Sequence, residues 1–515
     1  SNAGGVNPRA CAKALQAEID KAGVDLTVAV VEGDDLLAQV SAFADEREMF
    51  SGAPMPDTDR IASANAYIGA GPIVAALQAG ADIVITGRCV DSALTLAACM
   101  ARFGWRPEDH DLLAAGSLAG HLLECGPQST GGNFTDWEAA GDIARIGYPI
   151  AEIAGDGRMV ITKPDGTAGI VSVGSVGEQM LYEIGDPRAY ALPDVICDFS
   201  RVELERIGAD RVVVTGARGT PPSGRLKVSV TWADGMRGGM VLQFNGRDAR
   251  LKAERYAQAA LDRTRAGLAA QGAPDFREVD IACFGGRPGD GDYEEIAVKA
   301  AVWHDDARAV GLFLKELIGA ALATPPGLHF FTGAGRPAPS PVVRLFSCLV
   351  PAELPVYRVE VGGEQIGYTA PPLSARATDL PPAPKPEPVD PKSHDLVQRP
   401  LESLAWARSG DKGDKANIGV MARHPAYLPW IWAALTPEAV RAEFGDDLKG
   451  NVDRYYLPGS ASMNLLLDQA LGGGGIASLR SDAQGKGYAQ RLLSLPVAVP
   501  AGLIMNAESG ARMKD

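Results

Sequence analysis

An acidic residue and a thiol stand side by side in the segment HLLECGPQSTGGNF, residues 121–134, directly before a glycine-rich polar loop. Glu124 could act as a general acid or base if burial raised its pKa, and Cys125 could act as a nucleophile if its pKa were lowered. Backbone N–H groups of the loop could bind an oxyanion. The loop residues concerned are Thr130, Gly131, Gly132 and Asn133. A structural alternative stays open, with Cys125 as a small buried apolar residue and Glu124 as a solvated or ion-paired side chain.

A second polar segment, TGRCVDS at residues 86–92, follows an apolar run that predicts a strand. Open α/β sheets bind ligands beyond the carboxyl ends of their parallel strands, and this segment would lie there. Arg88 offers a planar fork of donors to a carboxylate or phosphate group. Asp91 is a catalytic candidate in the same loop, although it could instead pair with Arg88 or cap the helix that follows.

Two glycines and a proline in NAGGVNPRA, residues 2–10, predict a sharp turn that leads into a helix. The backbone amides at a helix N-terminus can bind an anion. Asn7 is therefore a candidate substrate-binding residue. A tight turn without any ligand explains the same glycine pair.

The segment ARSGDKGDKANIG, residues 407–419, holds five charged residues, three glycines and an asparagine. Because unpaired charges are costly to bury, it predicts an exposed loop. The loop could bind an anion together with two other glycine-rich segments, residues 471–476 and 481–487. The candidate substrate-binding residues here are Lys412, Asp414, Asn417 and Lys486. The alternative is a solvated turn, with hairpin turns at the other two segments.

These candidates need secondary-structure elements to position them. Apolar runs at residues 25–32 and 81–87 predict buried parallel strands, and residues 88–103 predict a helix. The order strand, loop, helix predicts an α/β domain with a mostly parallel sheet. Within residues 148–242, short β-branched runs alternate with glycine, proline and aspartate, which predicts a more antiparallel region.

A proline-rich segment divides the chain. Nine of the 36 prolines lie in residues 371–400, with few large apolar groups, which predicts an extended linker. Residues 1–370 would form the large α/β domain. Residues 401–510 contain strands, a helix and glycine-rich turns, and would form a small α+β domain.

The composition argues against several classes of protein. The 515 residues carry a formal net charge of −15, and a nucleic-acid partner would need a basic footprint instead. No run of about 18 apolar residues is present, so we expect no membrane partner and a cytoplasmic protein. The seven cysteines contain no CxxC pair and the six histidines no HxxxH pair, so we expect neither a disulfide framework nor a metal site.

Taken together, these segments resemble the acyclic terpene utilisation (AtuA-like) family. The residues that carry the resemblance are NAGGVNPRA, GADIVITGRCVDSALTLA, HLLECGPQSTGGNF, YEIGDPRAYALPDV, ARSGDKGDKANIGV and LGGGGIASLRSDAQGKG. They occur in this order over nearly the whole chain. The resemblance implies a large N-terminal α/β domain, a small C-terminal ferredoxin-like domain, and a pathway that degrades acyclic terpenes through coenzyme A thioesters.

The resemblance implies neither a settled chemical step nor a known cofactor; a coenzyme A thioester could be the substrate. Family members usually carry a further glycine-rich strand and loop before the NAGGVNP stretch. The resemblance therefore also implies that the large domain could lack its first strand in this sequence.

Two functions fit these observations. The first is a catabolic enzyme with hydratase, lyase or hydrolase chemistry on a small carboxylate or a branched acyl-CoA thioester, and we expect it to be a homo-oligomer. The second is a non-catalytic partner or scaffold subunit of an acyl-CoA-processing complex. An enzyme should bring Arg88, Glu124 and Asn133 into one cleft, whereas a scaffold should leave them apart and expose an apolar patch.

Overall fold

A computed structural model describes residues 1–2, 7–286, 294–330, 337–370, 383–390 and 395–504. Its α-helices are α1 (Pro8–Ala22), α2 (Gly71–Gln78), α3 (Ala93–Phe103), α4 (His110–Glu124), α5 (Val173–Leu181), α6 (Ala249–Ala270), α7 (Ala307–Gly319), α8 (Leu428–Ala434), α9 (Pro437–Phe444) and α10 (Tyr488–Leu493). The glycine pair of the predicted N-terminal turn and much of the predicted linker lie outside the described residues.

The strands fall into two groups along the chain. The first group is β1 (Val28–Glu32), β2 (Ile61–Ala66), β3 (Ile83–Thr86), β4 (Ile150–Ile153), β5 (Met159–Thr162), β6 (Tyr190–Ala191), β7 (Ile196–Asp198), β8 (Glu203–Gly208), β9 (Arg211–Thr215), β10 (Arg218–Thr220), β11 (Arg225–Gly246), β12 (Glu278–Gly285), β13 (Glu294–His304), β14 (Leu328–His329), β15 (Ser340–Pro351), β16 (Arg358–Val361) and β17 (Glu364–Ile366). The second group is β18 (Leu396–Pro400), β19 (Ala405–Lys412), β20 (Lys415–Ala422), β21 (Val452–Leu457), β22 (Ser462–Leu467) and β23 (Pro496–Pro500).

One sheet of the large domain has the strand order β17, β16, β1, β3. Its pair β1 and β3 is parallel, with Val28 opposite Ile83. Val28 and Val30 pack against α1, whereas Ala29 and Val31 face the main core of the domain. A strand that is buried on both faces needs a continuous apolar run, which is why the sequence pattern located it.

The prediction of a mostly parallel sheet is wrong. Among the named strands that the structure describes, β1 and β3 form the only parallel pair, and the large domain combines mixed and antiparallel sheets. The main reason is the 22-residue strand β11, which lies between β13 and β15 and runs antiparallel to both. Residues on β11 alternate between buried and accessible positions, as expected for an antiparallel strand with one covered face.

Helices α6 and α7 cover one face of that larger sheet. Phe244 of β11 and Val298 of β13 lie in a common core with Tyr256 of α6 and Phe313 of α7. This core is separate from the core around β1 and β3. No helix in the described ranges combines the length and apolarity that crossing a membrane requires.

The C-terminal region contains an antiparallel sheet with the order β19, β20, β22, β21. Helices α8, α9 and α10 contribute to the core on one of its faces. The other face packs against α5 of the large domain. A separate antiparallel pair joins β23 to β18, and β18 lies within residues 371–400.

The prediction of an exposed loop at residues 407–419 is wrong. These residues belong to the hairpin of β19 and β20, and only Gly413 and Asp414 form its turn. Gly413 adopts φ +69°, a left-handed conformation that glycine accepts without strain. Because side chains alternate along a strand, Ala405 and Ala407 enter the small domain's own core. On the opposite face of the strand, Trp406, Arg408 and Lys412 contact Asp136, Glu178 and Glu183 of the large domain.

The sheet and α5 approach each other very closely. A Cβ atom on Gly419 of β20 would lie 2.3 Å from the Cβ of Leu181 on α5, so only glycine fits there. Next to this contact, Met421 belongs to the main core of the large domain. The two domains therefore share a continuous packed interface.

Candidate functional site

A cavity of about 790 Å³ opens where β1 and β3 end. Its walls come from the N-terminus of α1, the loops after β1 and β3, and the pairing of β2 with β11. The lining residues that carry functional groups include Asn7, Asp34, Asn65, Tyr67, Arg88 and Ser229. The volume is within the range of typical small-molecule sites. Two sequence candidates, Asn7 and Arg88, line this cavity.

Arg88 is held at the cavity by two neighbours. Its Nη2 atom lies 3.0 Å from a carboxylate oxygen of Asp91, and its guanidinium lies 4.2 Å from the ring centre of Tyr67. The Nε atom of Arg88 is buried and makes no hydrogen bond within the described part of the chain. The ion pair with Asp91 is the alternative that the sequence left open. It leaves donor capacity on Arg88 for a ligand.

Asp34 is a cavity residue that the sequence interpretation missed. The residue is 4 % exposed, and its carboxylate accepts hydrogen bonds from the backbone N–H of Arg88 (2.8 Å) and from Asn65 Nδ2 (2.9 Å). Burial raises the pKa of Asp34, and these hydrogen bonds oppose that shift. Asp34 follows the first predicted strand directly, so the strand-end argument used for Arg88 could have found it.

Tyr67 and Lys227 were also missed, and no local pattern marks them. The backbone N–H of Tyr67 donates to the carbonyl of Lys227 at 2.9 Å, because β2 pairs with β11. The Nζ atom of Lys227 lies 5.0 Å from the ring centre of Tyr67. The Oγ of Ser229 donates to the Tyr67 hydroxyl at 3.4 Å. Only the register of this long antiparallel pair brings these groups together.

Glu124 and Cys125 lie at the end of α4, and neither is among the described residues that line the 790 Å³ cavity. Partial desolvation raises the pKa of Glu124, and the charges of Asp91 and Glu183 act in the same direction. The Sγ of Cys125 donates to Glu124 Oε1 at 3.2 Å. Burial, followed by the charge of Glu124, raises the pKa of Cys125 to about 12. These surroundings favour a protonated thiol, so they do not activate Cys125 as a nucleophile.

Two lysines of the small domain converge on Glu183, which follows α5. Lys412 Nζ lies 2.8 Å from Glu183 Oε2, and Lys486 Nζ lies 3.8 Å from Glu183 Oε1. Lys486 also donates to the hydroxyl of Tyr182 and reaches Asp411 at 3.4 Å. Burial disfavours the charged form of Lys412, but Tyr190 and Glu183 raise its pKa above the ordinary value. Lys412 therefore stays charged at the domain interface.

The loop after Cys125 is occupied by contacts within the protein. The hydroxyl of Thr130 donates to the carbonyls of Pro127 (3.0 Å) and Gly147 (2.6 Å). The carbonyl of Gly132 accepts a hydrogen bond from Arg408 Nη2 at 2.7 Å. Gly131 is buried, whereas Asn133 is exposed and adopts φ +53°. The loop thus offers Arg408 a carbonyl acceptor.

Arg408 forms a buried cluster between the domains. Its Nη2 lies 3.2 Å from Glu178 Oε2, and the two side chains are 4 % and 1 % exposed. Its Nη1 donates to Gln128 (2.8 Å) and Gln179 (3.3 Å). Burial raises the pKa of Glu178 to about 7, although the charge of Arg408 opposes the shift. The sequence interpretation did not nominate Arg408, because it treated the segment as an exposed loop.

Asn417 and Asp414 also have structural partners. The side chain of Asn417 donates to Leu181 O and Asn464 Oδ1, both at 2.8 Å, and accepts from Glu183 N at 2.7 Å. The Oδ1 of Asp414 accepts from the backbone of the 471–476 segment, including Gly473 N at 2.8 Å. Asp414 lines a second cavity of about 610 Å³ that both domains form. This cavity is distinct from the one that Arg88 lines.

The candidates are therefore divided among several places. Arg88, Asn7 and Asp91 lie at or beside the large cavity, and Glu124 lies within the electrostatic influence of Asp91. Asn133 is exposed on a different loop, so the structure does not bring Arg88, Glu124 and Asn133 into one cleft. The described residues contain no group of three or more His, Cys, Asp or Glu side chains arranged to hold a metal ion.

Fold and site define a two-domain protein: a large α/β domain with a ligand-sized cavity at its parallel strand ends, docked to a small α+β domain. The family model of the acyclic terpene utilisation family protein AtuA matches residues 1–361, and the model of the AtuA ferredoxin-like domain matches residues 399–498. The chain therefore belongs to the acyclic terpene utilisation family AtuA, which confirms the resemblance. Comparisons with curated proteins and with solved structures give no match.

Proposed function

We propose that this protein is a catabolic enzyme that binds a small carboxylate or a branched acyl-CoA thioester in the 790 Å³ cavity. The observation that carries the proposal is Arg88, which lines this cavity with a side chain that is 34 % exposed and whose side-chain hydrogen bonds within the described residues all run from Nη2 to Asp91. A guanidinium carries five N–H donors, and its planar fork suits the oxygens of a carboxylate or phosphate group. An anionic oxygen of a substrate would supply a further acceptor.

The roles follow from the positions of the side chains. Arg88 would hold the anionic oxygen, and Asp91 would fix the orientation of Arg88 through their ion pair at 3.0 Å. Glu124 would transfer protons, since its raised pKa brings it closer to neutral pH. Asp34 adds a second carboxyl group with a raised pKa inside the cavity. Hydration, dehydration and cleavage of a C–C or thioester bond all use a carboxylate base with donors to an oxyanion.

The alternative function is a non-catalytic partner subunit that assembles through the sheet of the small domain. One face of that sheet packs on α5, and the other packs on helices of the small domain itself. Both faces are therefore used within the chain. This observation argues against assembly through that sheet, although Arg88, Glu124 and Asn133 do not share the single cleft that the enzyme hypothesis expected.

Ligand binding tests the proposal directly. We expect branched acyl-CoA esters or small di- and tricarboxylates to raise the melting temperature. At a ligand concentration one hundred times Kd, the free energy of unfolding should increase by about 2.7 kcal/mol. Arg88→Met should abolish the shift and leave the unliganded melting temperature almost unchanged. Arg145→Met is the matched control, because Arg145 is 70 % exposed in a different loop. If none of these anions shifts the wild-type protein, the proposal fails.

Turnover measurements distinguish the roles of Glu124 and Cys125 at the end of α4. Glu124→Gln should abolish turnover of whichever acyl-CoA ester binds, while the fold is kept. Cys125→Ser should retain most of the activity, because the protonated thiol is a poor nucleophile. Full activity of Glu124→Gln would remove Glu124 from the mechanism.

A further inference from the structure

Tyr67 has its phenol group inside the proposed substrate cavity, together with Arg88 and Ser229. Its backbone is tied to β11 by the hydrogen bond to Lys227 O at 2.9 Å. Its hydroxyl accepts the hydrogen bond from Ser229 Oγ at 3.4 Å. The side chain is thus positioned by a sheet, which places functional groups more accurately than a loop does.

Two cations flank the aromatic ring of Tyr67. The guanidinium of Arg88 lies 4.2 Å from the ring centre, and the ammonium of Lys227 lies 5.0 Å from it. Lys227 makes no ion pair with a carboxylate in the part of the chain that the structure describes. A partly buried cation of this kind is costly to keep, and a phenolate on Tyr67 would compensate it.

Other charges reach the pair from neighbouring elements. Lys412 of the small domain acts on both Tyr67 and Lys227, and Glu48 acts on Lys227. Burial alone would raise the pKa of Tyr67. The charges of Lys227 and Arg88, with smaller contributions from Ser229 and Lys412, outweigh burial and lower the pKa of Tyr67 below 10.0. Burial lowers the pKa of Lys227, while Tyr67 opposes that shift.

We propose that Tyr67 is a catalytic acid–base residue that exchanges a proton with a carbonyl-derived oxygen of the substrate, and that Lys227 and Arg88 stabilise its phenolate. This inference rests on the proposed function and adds to it the residue that exchanges a proton with the oxyanion formed from the carboxylate or thioester during the reaction. When the Tyr67 O–H bond breaks, the proton forms a new O–H bond on the substrate oxyanion. The electron pair stays on the phenolate oxygen, and the reverse transfer restores the phenol.

The cavity geometry distinguishes Tyr67 from Glu124. Tyr67 lines the cavity that contains Arg88, whereas Glu124 lies outside its lining. A substrate anchored on Arg88 would therefore have the Tyr67 hydroxyl beside it. Tyr67 therefore suits a step at the anchored oxygen, whereas Glu124 would act on a part of the substrate outside this lining.

Tyrosine ionisation provides a test that needs no ligand. Absorbance at 295 nm is followed during an alkaline titration of the full chain. We expect the ionisation phase at the lowest pH to belong to Tyr67. This phase should be absent in Tyr67→Phe and should shift to higher pH in Lys227→Met. Tyr455→Phe is the control, since burial raises the pKa of Tyr455 to about 12 and its loss should leave the lowest phase unchanged. Persistence of that phase in Tyr67→Phe overturns the proposal.

Steady-state kinetics provide the second test. The substrate is the acyl-CoA ester or carboxylate that raises the melting temperature of the wild-type protein. Tyr67→Phe should lower kcat by roughly 10²–10⁴-fold, as removal of an acid–base group does, with little change in KM. In Lys227→Met the alkaline limb of the kcat/KM profile should move to higher pH. A Tyr67→Phe variant with kcat within threefold of wild type overturns the proposal. Absence of any ligand shift would instead reject the proposed function, while the titration still decides whether the phenol is activated.

Discussion

Arg88 and Arg408 both lie beside glycine-rich segments, yet their surroundings in the folded protein are opposite. Arg88 lines an open cavity, and within the described residues its guanidinium donates hydrogen bonds only to Asp91. Arg408 is 4 % exposed and contacts Glu178, Gln128 and the carbonyl of Gly132. The first arrangement leaves capacity for a ligand, whereas the second joins two domains.

The difference teaches how to separate binding residues from structural ones. The residue type does not decide, because both arginines could bind an anion. What decides is whether the side chain reaches a cavity, as Arg88 does, or is buried among partners from both domains, as Arg408 is. Asn417 and Thr130 follow the Arg408 pattern, since their side chains are engaged by internal partners.

Removal of Arg408 should have the largest effect on stability. Arg408→Met leaves Glu178 buried without its partner, and the free energy of unfolding should fall by about 3–5 kcal/mol. Chemical denaturation measures this loss. The double variant with Glu178→Met should recover part of it, because an apolar pair removes the uncompensated charge. A loss below about 1 kcal/mol in Arg408→Met would contradict the structural role.

His121 is buried next to the Arg408 cluster, because its backbone carbonyl accepts a hydrogen bond from Gln179 Nε2 at 3.0 Å. Burial lowers the pKa of His121 from 6.5 to about 4. The unfolded chain therefore binds a proton before the folded chain does, and stability is lost as pH falls from about 6.5 towards 4. This loss amounts to at most about 3 kcal/mol. His121→Gln should lose less stability on acidification than wild type.

The exposed His329→Gln serves as the control for this prediction. Its stability should follow the wild-type pH profile. Melting temperatures between pH 7.5 and pH 4.5 provide the measurement. Parallel profiles for His121→Gln and wild type would show that His121 does not contribute to acid sensitivity.

The close approach of β20 to α5 predicts an intermediate effect. Gly419→Ala would place a methyl group 2.3 Å from the Cβ of Leu181, and overpacking of this kind costs about 1–3 kcal/mol. Gly185→Ala is a matched control, because a Cβ there meets no atom within 4 Å. Equal melting temperatures for the two variants would mean that the interface yields to the methyl group.

Lys486 should have the smallest effect. Its side chain is 46 % exposed, and its carboxylate partners Asp411 and Glu183 lie at 3.4 and 3.8 Å. Exposed ion pairs contribute about 0–1 kcal/mol and are screened by salt. Lys486→Met should therefore change stability by less than about 1 kcal/mol, and the change should vanish in 1 M NaCl. A larger loss of stability that does not depend on salt would mean that Lys486 has a buried structural role like that of Arg408.

Much of the first sheet and of its cavity was predictable from local pattern. The predicted runs 25–32 and 81–87 contain the buried strands β1 and β3, and a strand end is a local property, so the sequence placed Arg88 just beyond β3, where the cavity opens. Asp34 obeys the same rule and could have been included. The parallel arrangement did not extend to the rest of the domain, because strand direction depends on which distant strands pair.

The sequence by itself determined the family, the two buried strands and the position of Arg88 beyond one of them. Only the tertiary structure decided that residues 407–419 form a docked hairpin and that Tyr67 meets Ser229, 162 residues away. The physical reason is that neighbouring residues set the apolar periodicity of a strand, whereas the partner of a charged side chain can lie far away in the sequence. Whether Arg408 is buried or exposed depends on Glu178, a partner that is distant in sequence.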